Sequence, residues 1–217
     1  MGPDSPVGQR LGNLIAGPAK LIGADAPLTQ RIIRMSTPPS PTPASQNLYE
    51  ALEPYVMKWQ GLLALKTDQA AVQMYLISGN EEVAKSSLPK NEDGSTPPLR
   101  IFQRMRMEPM QIEGVVRKMQ TEKEHCILVA LPCGLNTEDV LKQSQNLITL
   151  INYLQQKQAA GIINVAYPGT THPPAYVVHI FPSSDFVNQN LRRLAPTLLD
   201  RIVANDTSHL LIVITTV

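Results

Sequence analysis

Residues 125–131 read His-Cys-Ile-Leu-Val-Ala-Leu, and residues 209–216 read His-Leu-Leu-Ile-Val-Ile-Thr-Thr. Each run is seven or eight residues long and apolar at odd and even positions alike. Strands of that length with no polar face belong inside a sheet covered on both sides. Five further segments are rich in β-branched and aliphatic residues and bounded by turn residues: 57–66, 70–78, 98–107, 162–167 and 175–181. Helical patterns lie between them. Pro109 suits a first turn, and Ile112, Val115, Val116 and Met119 follow it at i, i+3, i+4 and i+7. The longest helix is predicted from about 138 to 160. Thr137 is its expected cap, Glu138 and Asp139 suit its positive end, and Gly161 is its expected stop. A further helix runs from Ser184 to Leu194, and Pro196 opens another to about Asn205. Seven strands with irregularly interspersed helices predict an α+β domain. A closed or nearly closed sheet flanked by helices would cover both faces and leave no edge.

The chain has 217 residues, with 19 Lys and Arg against 18 Asp and Glu. Eight of its 19 prolines lie in the first 46 residues, four of them between Pro38 and Pro43. Proline fixes φ and removes a backbone donor, so 1–46 reads as a disordered Pro-rich linker and 47–217 as the folded domain. Leu28 to Met35 docking as a short helix is the alternative. Thr37, Ser40 and Thr42 precede prolines, but such pairs are common in linkers. Four of the basic and two of the acidic residues fall in 1–46, which leaves 15 basic against 16 acidic in the remainder. That balance argues against general binding of nucleic acid or membrane, so any basic site must be local. No run is long and apolar enough for a membrane span, and the first residues, which lack a charged stretch followed by an apolar core, do not read as a secretory signal. Two cysteines, Cys126 and Cys133, exclude a disulfide scaffold, and a reducing compartment is expected.

Catalytic patterns are missing. There is no Gly-rich phosphate loop, no HExxH and no nucleophile elbow. Glu81-Glu82 reads as a turn, and Cys126 as core. No enzymatic activity, cofactor or metal is expected. Two features exceed what a core requires. Alternation along 99–107 puts Arg100, Phe102, Arg104 and Arg106 on one face. Guanidiniums so close repel one another unless anions sit nearby. They either form a solvated face paired with Glu108, Glu113 or another strand, or make a site for carboxylates or phosphates. On the long helix, Tyr153 lies about 140° from the seam of Val140, Leu147 and Ile151, with Lys157 one turn on. It is either a peptide anchor or a surface tyrosine.

Several motifs carry a family resemblance. They are Trp59-Gln60-Gly61-Leu62-Leu63-Ala64-Leu65-Lys66, Ala71-Val72-Gln73-Met74, Pro98-Leu99-Arg100-Ile101 with Gln103-Arg104-Met105-Arg106, Leu131-Pro132-Cys133-Gly134, and Tyr153 through Val165. Together they resemble the SPOC domain, the C-terminal module of the split ends (Spen/SHARP) transcriptional regulators, across about 50–217. The resemblance implies a distorted, mostly antiparallel seven-stranded β-barrel framed by α-helices. It implies a nuclear, monomeric protein-interaction module that binds short acidic peptides, often phosphorylated on serine. In the split ends branch the implied partner is the C-terminal tail of the SMRT/NCoR co-repressors, and through it histone deacetylase complexes. The implied site residues are Lys66, Arg104, Arg106, Tyr153 and Lys157, with Arg100 on the same face. Other relatives of the family imply a reader of phosphorylated RNA polymerase II tails or of RNA-methylation machinery. Direct RNA binding is a third reading. The near-neutral charge and a lack of exposed aromatics interleaved with the arginines count against it.

Overall fold

The computed structural model describes residues 43–91, 93–166 and 174–217, with side chains given from Leu48 onward in the first helix. The readings placed on residues 1–42 and on Tyr167 lie outside these residues. Among the described residues six α-helices surround one eight-stranded sheet. The helices are α1 (Pro43–Leu52), α2 (Glu81–Ser87), α3 (Pro109–Met119), α4 (Thr137–Gln156), α5 (Asp185–Leu194) and α6 (Pro196–Ala204). The strands are β1 (Val56–Leu65), β2 (Asp68–Gly79), β3 (Leu99–Ile101), β4 (Gln103–Arg106), β5 (His125–Pro132), β6 (Ala159–Val165), β7 (Tyr176–Phe181) and β8 (Leu210–Thr216). Helix α1 therefore begins inside the segment expected to be linker.

The sheet order is β3-β1-β2-β5-β8-β7-β6-β4. All pairings are antiparallel except β1 with β3. The two runs that announced the fold, β5 and β8, pair at its centre. Their side chains divide by parity. Cys126, Leu128, Ala130, Leu210, Ile212 and Ile214 join one core with Trp59, Met74 and the inner face of α4. Ile127, Val129, Leu131, Leu211 and Val213 join a second core under α1, α3, α5 and α6. Both faces are thus covered, as the absence of a polar face required.

The single strand expected over 98–107 is two strands. β3 pairs with β1 at one end of the sheet order and β4 pairs with β6 at the other, so the chain itself crosses the gap at Phe102. This is how the sheet nearly closes, and it raises the strand count from seven to eight. The facing changes there as well: Leu99 and Ile101 enter the core under α4, whereas Met105 and Met107 pack against the other core, a change that the sequence pattern does not mark. Three smaller expectations also change. Asn136, not Thr137, caps α4, its side-chain oxygen accepting from the Asp139 amide at 2.9 Å. Gly161 is mid-strand in β6; α4 ends at Gln156, and Gln158 takes the left-handed turn at φ +46°. Glu81 and Glu82 open α2 rather than a turn, with Asn80 as the cap.

Candidate functional site

Barrel closure assembles the basic residues. The two-residue link between β1 and β2 puts Lys66 in a left-handed conformation, φ +55°, that a residue with a Cβ adopts at some strain. The parallel register sets Arg100 beside Ala64, and its guanidinium donates to the Lys66 carbonyl at 3.0 Å. Arg104 pairs across from Gly161 on β6, the strand that directly follows α4. The C-terminal turn of α4 therefore lies next to β4. There Arg104 donates to the Tyr153 hydroxyl at 2.5 Å, with its guanidinium carbon 5.4 Å from the ring centre. The Lys66 ammonium stands over the same ring, 4.4 Å from its centre. Three residues far apart in sequence thus form one cluster around a phenol.

Electrostatics follow from that geometry. The Tyr153 hydroxyl is held below the usual phenol range, first by hydrogen bonding with Lys66. Partial desolvation works against this, and the charges of Arg104, Lys66 and Lys157 add to it. A site that favours a phenolate favours any anion placed among the same cations. Among the described residues the acid–base pairs are Lys58–Glu81, Lys85–Glu82 and Arg106–Glu108. Lys66, Arg100, Arg104 and Lys157 have no carboxylate partner there. The tyrosine does not point wholly away from the seam. Its ring rests at the edge of the core while the hydroxyl reaches out to Arg104.

The six expected residues do not form a single patch. Lys66, Arg104 and Tyr153 touch, and Arg100 supports the Lys66 turn. Arg106 turns to Glu108 at 3.3 Å, the solvated pairing that was one of the two sequence readings. Both partners are well exposed, so that pair is weak. Arg106 and Lys157 line a separate groove of about 620 Å³ with Glu108, Gln155, Ser183 and Ser184. One side wall is fixed by Gln155, whose amide donates to the Ser183 carbonyl at 2.9 Å. One exposed aromatic also stands among the arginines, contrary to expectation. Phe102 is 79% exposed, between Arg100 and Arg104. The claim that no exposed ring interleaves with the arginines is therefore corrected. Alternation had placed Phe102 on their face, and that was the available signal.

The SPOC domain family model matches residues 50–217. The chain is 54% identical to the protein split ends of Drosophila melanogaster over 193 residues, which is 88% of this chain and 3% of that protein. It is 47% identical to the Msx2-interacting protein of Mus musculus over 217 residues, 100% of this chain and 6% of that protein. It is 31% identical to the RNA-binding protein spenito of Drosophila melanogaster over 159 residues, 72% of this chain and 19% of that protein. The chain thus spans a small part of each relative. With the barrel closed at Phe102, cations gathered around Tyr153, and a match from residue 50 to residue 217, this chain belongs to the SPOC domain family of split ends relatives.

Proposed function

We propose that residues 47–217, together with the start of α1, form a non-enzymatic peptide-binding module of a nuclear transcriptional co-repressor. Its ligand is a short acidic peptide, bound more tightly when phosphorylated on serine, such as the C-terminal tail of a SMRT/NCoR-type co-repressor. Histone deacetylase complexes would be recruited indirectly. One observation carries this reading: Lys66 and Arg104 converge on Tyr153 with no carboxylate among the described residues to neutralise them. Cations held together in the free protein repel, and an incoming anion relieves that repulsion. A phosphoserine brings about −1.5 to −2 charges and three acceptor oxygens, so it engages several donors where serine engages fewer. Arg100 supports the turn, while Arg106 and Lys157 extend the positive field into the adjoining groove.

The reading as a polymerase-tail or RNA-methylation reader uses the same surface. The higher identity to split ends and the Msx2-interacting protein than to spenito favours the co-repressor partner. Isothermal titration of the 217-residue chain with one acidic co-repressor tail peptide, unmodified and phosphoserine-bearing, tests the proposal. Phosphorylation is expected to tighten binding by about ten- to a hundredfold, and added salt to erode the gain. Lys66→Ala and Arg104→Ala should each remove most of that gain with the fold intact, because both side chains are exposed. Absence of binding by either peptide at micromolar protein would overturn it.

A further inference from the structure

The chain contains three phenylalanines. Phe181 is fully buried, and Phe186 packs against it with ring centres 4.8 Å apart. Phe102 is 79% exposed and contributes to neither core. Its position has a local cause. Ile101 lies against Gly161, where an added Cβ would come within 2.9 Å of the isoleucine side chain. That contact turns Ile101 inward at the closure of the sheet, and the next residue outward. Phe102 is also the residue between the two short strands, and neither ladder includes it. On either side the arginines are engaged elsewhere: Arg100 with the Lys66 carbonyl and Arg104 with the Tyr153 hydroxyl. An apolar ring therefore stands open within the positive surface.

We propose that Phe102 is a specificity contact of this basic site, selecting acidic or phosphoserine peptides that carry an aliphatic or aromatic side chain at one fixed position near the anionic residue. The inference rests on the peptide-binding reading above and adds the apolar half of the recognition rule. Two residues of chain span at most about 7 Å, so Phe102 stands close to Arg104. A ligand with its anion at the Lys66–Arg104–Tyr153 cluster therefore brings a residue close to that anion against Phe102. Charge sets which partner can occupy the site, since a purely apolar segment would leave the surrounding cations without a counter-charge. A nucleobase is the other group that a ring among arginines can stack. Single-strand binders stack successive bases on successive rings. Here the neighbouring ring, Tyr153, already has Lys66 over its face, and residues 47–217 are close to neutral.

The test uses the full chain and a set of ten-residue acidic peptides, each with one phosphoserine and otherwise Asp, Gly and Ser. A single Leu is walked from three residues before the phosphoserine to three after. The Leu-free peptide is the reference and oligouridylate of ten nucleotides a further probe. Affinities are read by fluorescence anisotropy. Leu at one position within the walk should tighten binding by about tenfold over the reference, and Leu at the others should not. Phe102→Ala should abolish that gain with the thermal midpoint unchanged, and Phe102→Leu should retain part of it. Equal affinities for all Leu positions, or a gain that survives in Phe102→Ala, would overturn this inference while the peptide-binding reading stands. Failure of the reference peptide itself to bind would overturn both. Oligouridylate binding that depends on Phe102, with no Leu effect, would assign the ring to a nucleobase instead.

Discussion

Gly61→Ala is expected to destabilise the domain by crowding Trp59. A Cβ at position 61 would lie 2.5 and 2.6 Å from two carbons of the Trp59 six-membered ring and 2.9 Å from the Thr96 methyl. Relaxed carbon contacts are about 3.5–4.0 Å, so the indole must move by about 1 Å. It has little room, being only 5% exposed within the core that also holds Leu63, Val72 and Met74. Its Nε1 donates to the Pro89 carbonyl at 3.0 Å, and such a shift would break that bond. Overpacking of this kind costs about 1–3 kcal/mol, and the lost hydrogen bond about 1 kcal/mol more. The expected loss is about 2–4 kcal/mol, a lowering of the urea midpoint by about 1–2 M for a slope near 2 kcal/mol/M. Trp59 is the chain's only tryptophan, so its fluorescence reports the perturbed site directly during the same unfolding experiment. The folded variant should also emit further to the red. Trp59→Phe removes the ring carbons that clash, so in that background Gly61→Ala should cost less, measured by circular dichroism as a double-mutant cycle. A midpoint and emission unchanged by Gly61→Ala, or strict additivity in the cycle, would refute the packing argument.

Other expectations follow from the buried polar contacts and the titrating groups. Tyr153 should ionise at lower pH than an ordinary phenol, because nearby cations favour the phenolate, whereas burial pushes Tyr75 up to about 12. In an absorbance titration the earliest phenolate step should vanish in Tyr153→Phe and move to higher pH in Lys66→Ala; its persistence in Tyr153→Phe would contradict the assignment. Gln143 lies buried on the inner face of α4 and accepts from the Ala71 amide at 2.9 Å, fastening the helix to β2. Gln143→Ala leaves that amide without its acceptor and should lower stability by about 1–3 kcal/mol in urea, whereas a loss below 0.5 kcal/mol, roughly a surface effect, would show the bond to be dispensable. Burial raises both cysteine thiols to about 12, with Asp139 adding at Cys133. A thiol reagent at neutral pH should therefore modify neither in the native chain and both in urea, and prompt reaction of either in the folded protein would count against its burial.

Local pattern determined much of this fold. The two-sided apolar runs of β5 and β8 announced a sheet covered on both faces, because each side chain's face is set by parity within the strand alone. Pro109, Ser184 and Pro196 marked helix starts for the equally local reason that a missing amide or a side-chain acceptor suits a first turn. The seam of α4 was legible in its 3.6-residue period, although buried Gln143 was hidden within it as a polar residue. The short helix α2 was not legible, since seven residues are too few to show a period. The basic residues were recognisable from alternation and from contiguous family motifs, and those same motifs gathered them around Tyr153. Which of them touch was decided only in three dimensions. Lys66, Arg104 and Tyr153 meet because β3 and β4 take different neighbours on either side of Phe102, and alternation is the same whichever neighbour a strand chooses. Arg106, on the same strand and the same face, was carried instead to Glu108 and the adjoining groove. Pairing between strands depends on the whole set of long-range contacts made when the barrel closes, and no single stretch of the chain contains that information.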